Sequence, residues 1–385
     1  MTHAEPPYAI VDTLSNWKLP FKLARDVPAG SLLKLQLFGG RNNQGRFHEP
    51  QAEHPDAEGY LSAAWEDGAP LTLRADQSPG TFLCSLPPRG LRQGQALELR
   101  LGGSRGIRTG RERMMNKLFV LYGVPQGVTE PEFPAWAGGQ VWNLETQALI
   151  VAACTMHILG GPLEHLRAYA PASVKPGEPT TVLVRPEDKH GNLSHQAPVS
   201  LVVSEAGKVF PHALKTIPGS TCVQARLFLE TEGIHRLKVC DTSSGKEAHS
   251  NPVVCSRSAN STYWGMIHGH TEMSDGTGTL DEYFHQLKEE VLLDFAASSD
   301  HDHRFETPDE YWQATCDAVK RWNLPHAFVA FLGYEWAKWR QNGDGDRNVY
   351  YLEDDRGLYR SDDGEHPSPS ALFQALSSAG ERALI

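Results

Sequence analysis

Three apolar runs, each ending in side chains able to bind metal, constrain this chain more than any other feature. Tyr263-Trp-Gly-Met-Ile267 runs into His268-Gly-His270, Val291-Leu-Leu-Asp-Phe-Ala-Ala297 into Ser299-Asp300-His301, and Ala327-Phe-Val-Ala-Phe-Leu332 into Gly333-Tyr334-Glu335. Buried strands read as continuous apolar runs, and chemistry collects where such strands emerge. Helical stretches separate the runs: Asp281–Glu290, then Thr307–Arg321 with Thr307 as N-cap, Pro308 at the first helical position and Glu310 closing a capping box. Alternation of strand and helix over short connections predicts parallel strands and a β/α, barrel-like domain with its site at the C-terminal strand ends.

His268 and His270 are two residues apart, so in extended chain both rings face one side and are able to chelate one ion through imidazole nitrogens. Asp275, in a Ser-Asp-Gly turn, either reaches the same centre or caps its turn. Asp300 either ligates or orients His301 from behind. Glu335 ends the third run, and a glutamate bridges two cations with its two oxygens. Asp302 and His303 read as solvated loop residues. Arg304, Lys338, Arg340 and Arg347 follow the ligand-bearing strands and are candidate anion contacts or solvated loop cations.

Upstream the period changes. Residues 1–160 carry short, alternating runs (Leu32–Phe38, Tyr60–Trp65, Pro70–Arg74, Ala96–Leu101, Lys117–Tyr122) between Gly, Pro and Asn clusters, the pattern of a sandwich or barrel. Gly39–Gly45 and Gly102–Gly110 are turns, the latter with a basic cluster of Arg105, Arg108, Arg111 and Arg113. Residues 161–257 repeat the pattern in runs at 181–185, 199–203, 223–229, 233–239 and 252–254, which predicts an immunoglobulin-like sandwich. His212 and His235 fall here without partner spacing. The fold class expected is therefore multi-domain: two all-β, sandwich-like domains (1–160 and 161–257), then the first part of a β/α barrel (258–385). The pattern stops inside a strand at Ala383–Ile385, and on this reading the chain is a fragment of a longer protein.

Composition excludes several classes. No run of about eighteen apolar residues exists, so no membrane span is expected. The amino terminus lacks a basic and an apolar signal region, which points to the cytoplasm. The six cysteines have no Cys-x-x-Cys spacing and read as reduced, buried small hydrophobes. From residue 259 onward, 10 Lys and Arg face 23 Asp and Glu, a net of −13 against −11 for the whole chain. That acidity disfavours nucleic acid, whose backbone needs Lys and Arg, and leaves a small anionic, phosphorylated substrate open if metal offsets the charge.

His268-Gly-His270-Thr-x-x-Ser274-Asp275-Gly276, Ser299-Asp300-His301 and Gly333-Tyr334-Glu335-Trp336 together resemble the first motifs of the PHP (polymerase and histidinol phosphatase) superfamily, over roughly residues 261–350. The resemblance implies a distorted seven-stranded β/α barrel with two or three divalent ions (zinc, manganese or iron). It implies phosphoester hydrolysis, with His268, His270 and Glu335 on paired metals and Asp275 and His301 on a third. The expectation is a metal-dependent phosphoesterase, with Glu335, His301 and Asp300 at the catalytic centre. The competing reading is a glycan- or partner-binding protein with a structural or vestigial metal site, to which Trp17, Trp136 and Trp142 would be contacts if exposed, although each reads first as a core residue.

Overall fold

The structure, a computed structural model, describes residues 1–37, 47–77, 80–128, 149–258, 260–276, 278–304, 306–338 and 345–385. The loop at Gly39–Gly45, Phe38, Trp136, Trp142 and Arg340 lie outside them. The described residues are β-rich, with seven sheets and three α-helices. They form two compact units: Met1–Leu159 with Glu272–Gly278, and Gly160–Thr271 with Thr279–Ile385. Residues 161–257 and most of 258–385, expected as separate domains, therefore share one unit.

The first unit is built on a ten-stranded sheet. At its middle, Thr2–Ile10 pairs parallel to Ile150–Leu159 and antiparallel to Trp17–Lys22. The sequence pattern missed Thr2–Ile10 because Pro6 and Pro7, which have no N–H to donate, interrupt it; the register slips between His3 and Tyr8, where they lie. Alternation along Trp17–Lys22 buries Trp17, Leu19 and Phe21 and exposes Lys18 and Lys22. Trp17, a candidate surface contact, is thus core, packed edge-on against Phe47 with ring centroids 5.6 Å apart. Each such side chain contributes about 1.5–3 kcal/mol, whereas an ion pair such as Arg92–Asp26 is exposed and screened by solvent, so burial holds this unit together.

The second unit begins as a sandwich. One sheet orders His165–Tyr169, Pro179–Glu187, Val223–Phe228 and Ala213–Thr216; another orders Lys208–Val209, Leu201–Glu205, Lys238–Asp241 and Lys246–His249. Their inward residues, among them Val182, Val184, Val203, Leu227 and Val239, make one core. His235 is buried and used up structurally: Nδ1 lies 2.6 Å from Glu205 Oε2 and Nε2 lies 2.8 Å from the Thr231 carbonyl.

The remaining segment is tied to that sandwich. Arg185 reaches from strand Pro179–Glu187 to the Glu290 carboxylate at 3.4 Å, both side chains buried. Leu292 packs on a small cluster of Leu183, Leu193, Ile217 and Cys222. Glu290 closes a π-helical turn, Gln286–Glu290, that continues the α-helix Leu280–His285. The capping box sits at the head of this helix, where Thr279 accepts from Glu282 N and Glu282 answers on Thr279 N. At helix Asp309–Trp322 the cap position is Pro308 in place of the expected Thr307, and it has no side-chain cap bond. The Thr307 amide is already spent on the His303 carbonyl at 2.8 Å.

The β/α barrel expectation is corrected here. Gly265–Met266, Phe295–Ala297 and Val329–Phe331 do pair in parallel, as three strands separated by helices should. After them Gly333–Trp336 turns back into Arg347–Tyr351, antiparallel, and Ala383–Leu384 joins that hairpin antiparallel as well instead of adding a fourth parallel strand. Two three-stranded sheets result. All six cysteines are free, and only Cys240 is less than fully buried. No helix among the described residues is long and apolar enough to cross a membrane.

Candidate metal centre

The three parallel strands deliver their C-terminal loops to one place. Ser299 N donates to the Gly269 carbonyl at 2.8 Å and Gly269 N to Ser299 Oγ at 3.0 Å, which zips the His-Gly-His stretch to the end of the second run. Glu335 N donates to the Asp300 carbonyl and Asp302 N to the Glu335 carbonyl, so the third run continues in parallel alongside His301. Gly269 admits no side chain: a Cβ there would stand 2.6 Å from the Tyr283 hydroxyl, which donates to the Ala297 carbonyl.

On this frame three imidazoles surround one carboxylate oxygen. Glu335 Oε2 lies 3.0 Å from His270 Nε2, 3.5 Å from His268 Nε2 and 3.7 Å from His301 Nε2. His268 and His270 face each other through their Nε2 atoms at 3.4 Å. Tetrahedral ligands at metal–ligand bonds near 2.0–2.1 Å stand about 3.3 Å apart, so these spacings fit one small divalent ion. The donor set of nitrogen and one carboxylate oxygen suits zinc, manganese or iron alike. Asn348 Nδ2 lies 3.0 Å from His268 Nδ1 and steadies the most exposed of the rings. Burial alone would raise the Glu335 carboxyl, but the His270 bond and the neighbouring imidazoles hold it below its ordinary range.

Of the residues singled out by sequence, His268, His270, His301 and Glu335 come together in the second unit. Asp275 belongs to Glu272–Gly278, which groups with the first unit. Asp300 is buried, and its carboxylate accepts from Thr271 N at 2.7 Å and Thr271 Oγ1 at 2.8 Å. It therefore holds the residue after His270 in place.

Asp302 and His303 are corrected from solvated to buried residues, at 0% and 3% exposure. Asp302 accepts from Ala337 N, Ser361 Oγ and Ser361 N, and burial, outweighing these bonds, pushes its carboxyl up to about 6. His303 Nε2 meets the Ala337 carbonyl at 2.8 Å, and its Nδ1 meets Glu306 Oε2 at 2.9 Å. Sequence reasoning missed Glu306 altogether. Its only signal was an acidic residue three positions past a histidine in a loop.

Lys338, a candidate anion contact, is buried with Nζ on the Ser361 carbonyl at 2.9 Å, which removes it from that role. Arg304 and Arg347 remain exposed.

Comparison with known proteins gives one family model, described as a protein of unknown function (DUF3604), matching residues 277–383. An uncharacterized protein of Chlamydia trachomatis serovar D is 22% identical over 371 residues, 91% of this chain and 56% of that protein. One from Chlamydia pneumoniae is 21% identical over 392 residues, 97% of this chain and 60% of that protein. The chain thus spans less than two thirds of these relatives. Similar solved structures include domains 4 and 5 of the S-layer protein SbsC, at 18% identity, 27% of this chain, 58% of that chain and TM-score 0.20. The D0-D1 domain of Intimin follows at 7% identity, 66% of this chain, 96% of that chain and TM-score 0.18. Likeness at that level carries no functional argument. The resemblance to the PHP superfamily is corrected by the family comparison: the model that matches residues 277–383 is DUF3604.

Proposed function

We propose that this chain is a β-rich binding protein whose second unit holds a divalent metal ion through His268, His270 and Glu335, beside His301. The observation that carries the metal is the convergence of three Nε2 atoms on one Glu335 oxygen. Two imidazole nitrogens and a carboxylate oxygen within 3.5 Å of one another offer three lone pairs to a single cation. An ion there ties Ile267–Thr271 to Gly333–Trp336, and the surrounding sheets are free to recognise a glycan or a protein partner. The β-rich make-up, with few helices, supports that role.

A second reading, metal-dependent hydrolysis of a small phosphorylated substrate, is favoured by one observation: the His268 side chain is 53% exposed, so one side of the centre is open to solvent. A divalent ion at such an open position supplies Lewis acidity and a nucleophilic hydroxide near neutral pH. Glu335 and His270 would hold it, while the exposed face of His268 would leave room for an anion to approach.

Metal analysis of the purified chain, followed by turnover of phosphomonoesters and phosphodiesters with and without chelator, decides. Bound metal without turnover supports the binding role. Chelator-sensitive turnover that His270→Ala abolishes supports the hydrolase. A wild-type chain that retains no zinc, manganese or iron overturns both.

A further inference from the structure

Beside the three-imidazole centre, and sharing only the His301 ring with it, lies a second, buried cluster: His301, His303 and Glu306, each below a tenth exposed. We infer that it is a second, independent metal site, ligated by His301 Nδ1, His303 Nδ1 and Glu306 Oε2 and selective for a small borderline cation such as zinc.

Geometry brings the three donors together around one point. Glu306 Oε2 lies 2.9 Å from His303 Nδ1 and 3.2 Å from His301 Nδ1, and all three donors fall within 4.8 Å of one another. Those separations approach the roughly 3.3 Å expected between ligands of one tetrahedral ion. His301 Nδ1 is buried with no hydrogen-bond partner, because the Glu306 oxygen stands out of line for one. A buried nitrogen left so is costly, and a cation would satisfy it.

The ring of His303 is set for ligation. Its Nε2 faces the Ala337 carbonyl at 2.8 Å, an acceptor that would keep the proton on Nε2 once an ion displaced the one Nδ1 directs at Glu306 Oε2, 2.9 Å away. Backing of a ligating histidine by a carbonyl is how proteins commonly orient such rings. His301 separates the two centres. With Nδ1 committed inward, its Nε2 keeps the proton and points at Glu335 Oε2, the longest of that oxygen's three imidazole approaches at 3.7 Å. The ring then ligates the inner ion alone and leaves the outer one to His268, His270 and Glu335. Two imidazoles and one carboxylate leave a fourth tetrahedral position, and burial favours an ion that sheds water readily over magnesium.

Metal content and release rate test this in the full chain, stripped with chelator and reloaded with zinc alone. Wild type should hold two equivalents, one released quickly to a competing chelator and one slowly. Glu306→Gln and His303→Gln should lose the slow equivalent and keep the fast one. His270→Ala, at the exposed centre, should lose the fast equivalent and keep the slow one. The inference is overturned if wild type holds no slowly released equivalent, or if folded Glu306→Gln still holds it. It is also overturned if His270→Ala holds none, a readout that stands even where the buried variants do not fold. Failure of the outer centre alone looks different: His270→Ala then matches wild type.

Discussion

The carboxylate of Asp300 accepts two hydrogen bonds from a single residue, the amide of Thr271 at 2.7 Å and its hydroxyl at 2.8 Å. That pair fixes the backbone just after His270. Asp300→Ala leaves a buried amide unpaired, which costs about 1–3 kcal/mol on its own. Metal affinity should fall about 10- to 100-fold although no ligand is removed, the scale of a lost outer partner. Urea denaturation and zinc titration on the same variant measure both effects; unchanged affinity would show that the loop holds its shape without Asp300.

Glu335→Gln keeps the shape of the side chain and removes its charge. The three imidazoles that now share an anion would share a neutral amide, and zinc affinity at the outer centre should drop by more than the roughly 10- to 100-fold of an outer partner. Isothermal titration checks this.

Gly269→Ala should be tolerated poorly. The added methyl meets the Tyr283 hydroxyl at 2.6 Å, and moving that ring breaks its bond to the Ala297 carbonyl. A loss of about 1–3 kcal/mol is expected, as for overpacking elsewhere, visible as a lower urea midpoint. Tyr283→Phe in the same chain removes the closest clashing atom and should recover part of it.

Asp241 gives the sandwich a defined acid limb. It is buried and accepts from Ser200 N at 2.8 Å and from the hydroxyls of Ser243 and Ser244. Burial would raise its carboxyl, but these bonds outweigh it and hold the group down at about 2, from an ordinary value of 3.8. A depressed carboxylate stabilises the fold above its unfolded pKa and loses that contribution as pH falls through the folded value. Asp241→Ala should therefore be less stable than wild type at pH 7, and the gap should close between about pH 4 and 2. Chemical denaturation across that range is the check; a constant gap would mean the charge is not what stabilises.

Parallel pairing of the three apolar runs and the meeting of His268, His270, His301 and Glu335 were legible because strand periodicity is local. Residues two apart share a face, and strands joined by helices run the same way. What followed was not local. Whether Gly333–Trp336 continues a barrel or turns back depends on Arg347–Tyr351 pairing with it, and nothing in its own residues reports the direction. Burial of Asp302 and His303 is decided by Ala337 and Ser361, far along the chain, so a polar loop in sequence became interior in space. The family resemblance rested on short clusters of His, Asp and Gly, residue types that any loop-borne metal site recruits.

The link between Arg185 and Glu290, with Leu292 lodged on Leu183 and Ile217, also bears on dissection of this protein. Cutting the chain ahead of the histidines to obtain a minimal ion-binding piece would strand a carboxylate without its guanidinium and strip the cover from an apolar seat. Such a piece should aggregate, so the sandwich has to travel with the centre in any excision.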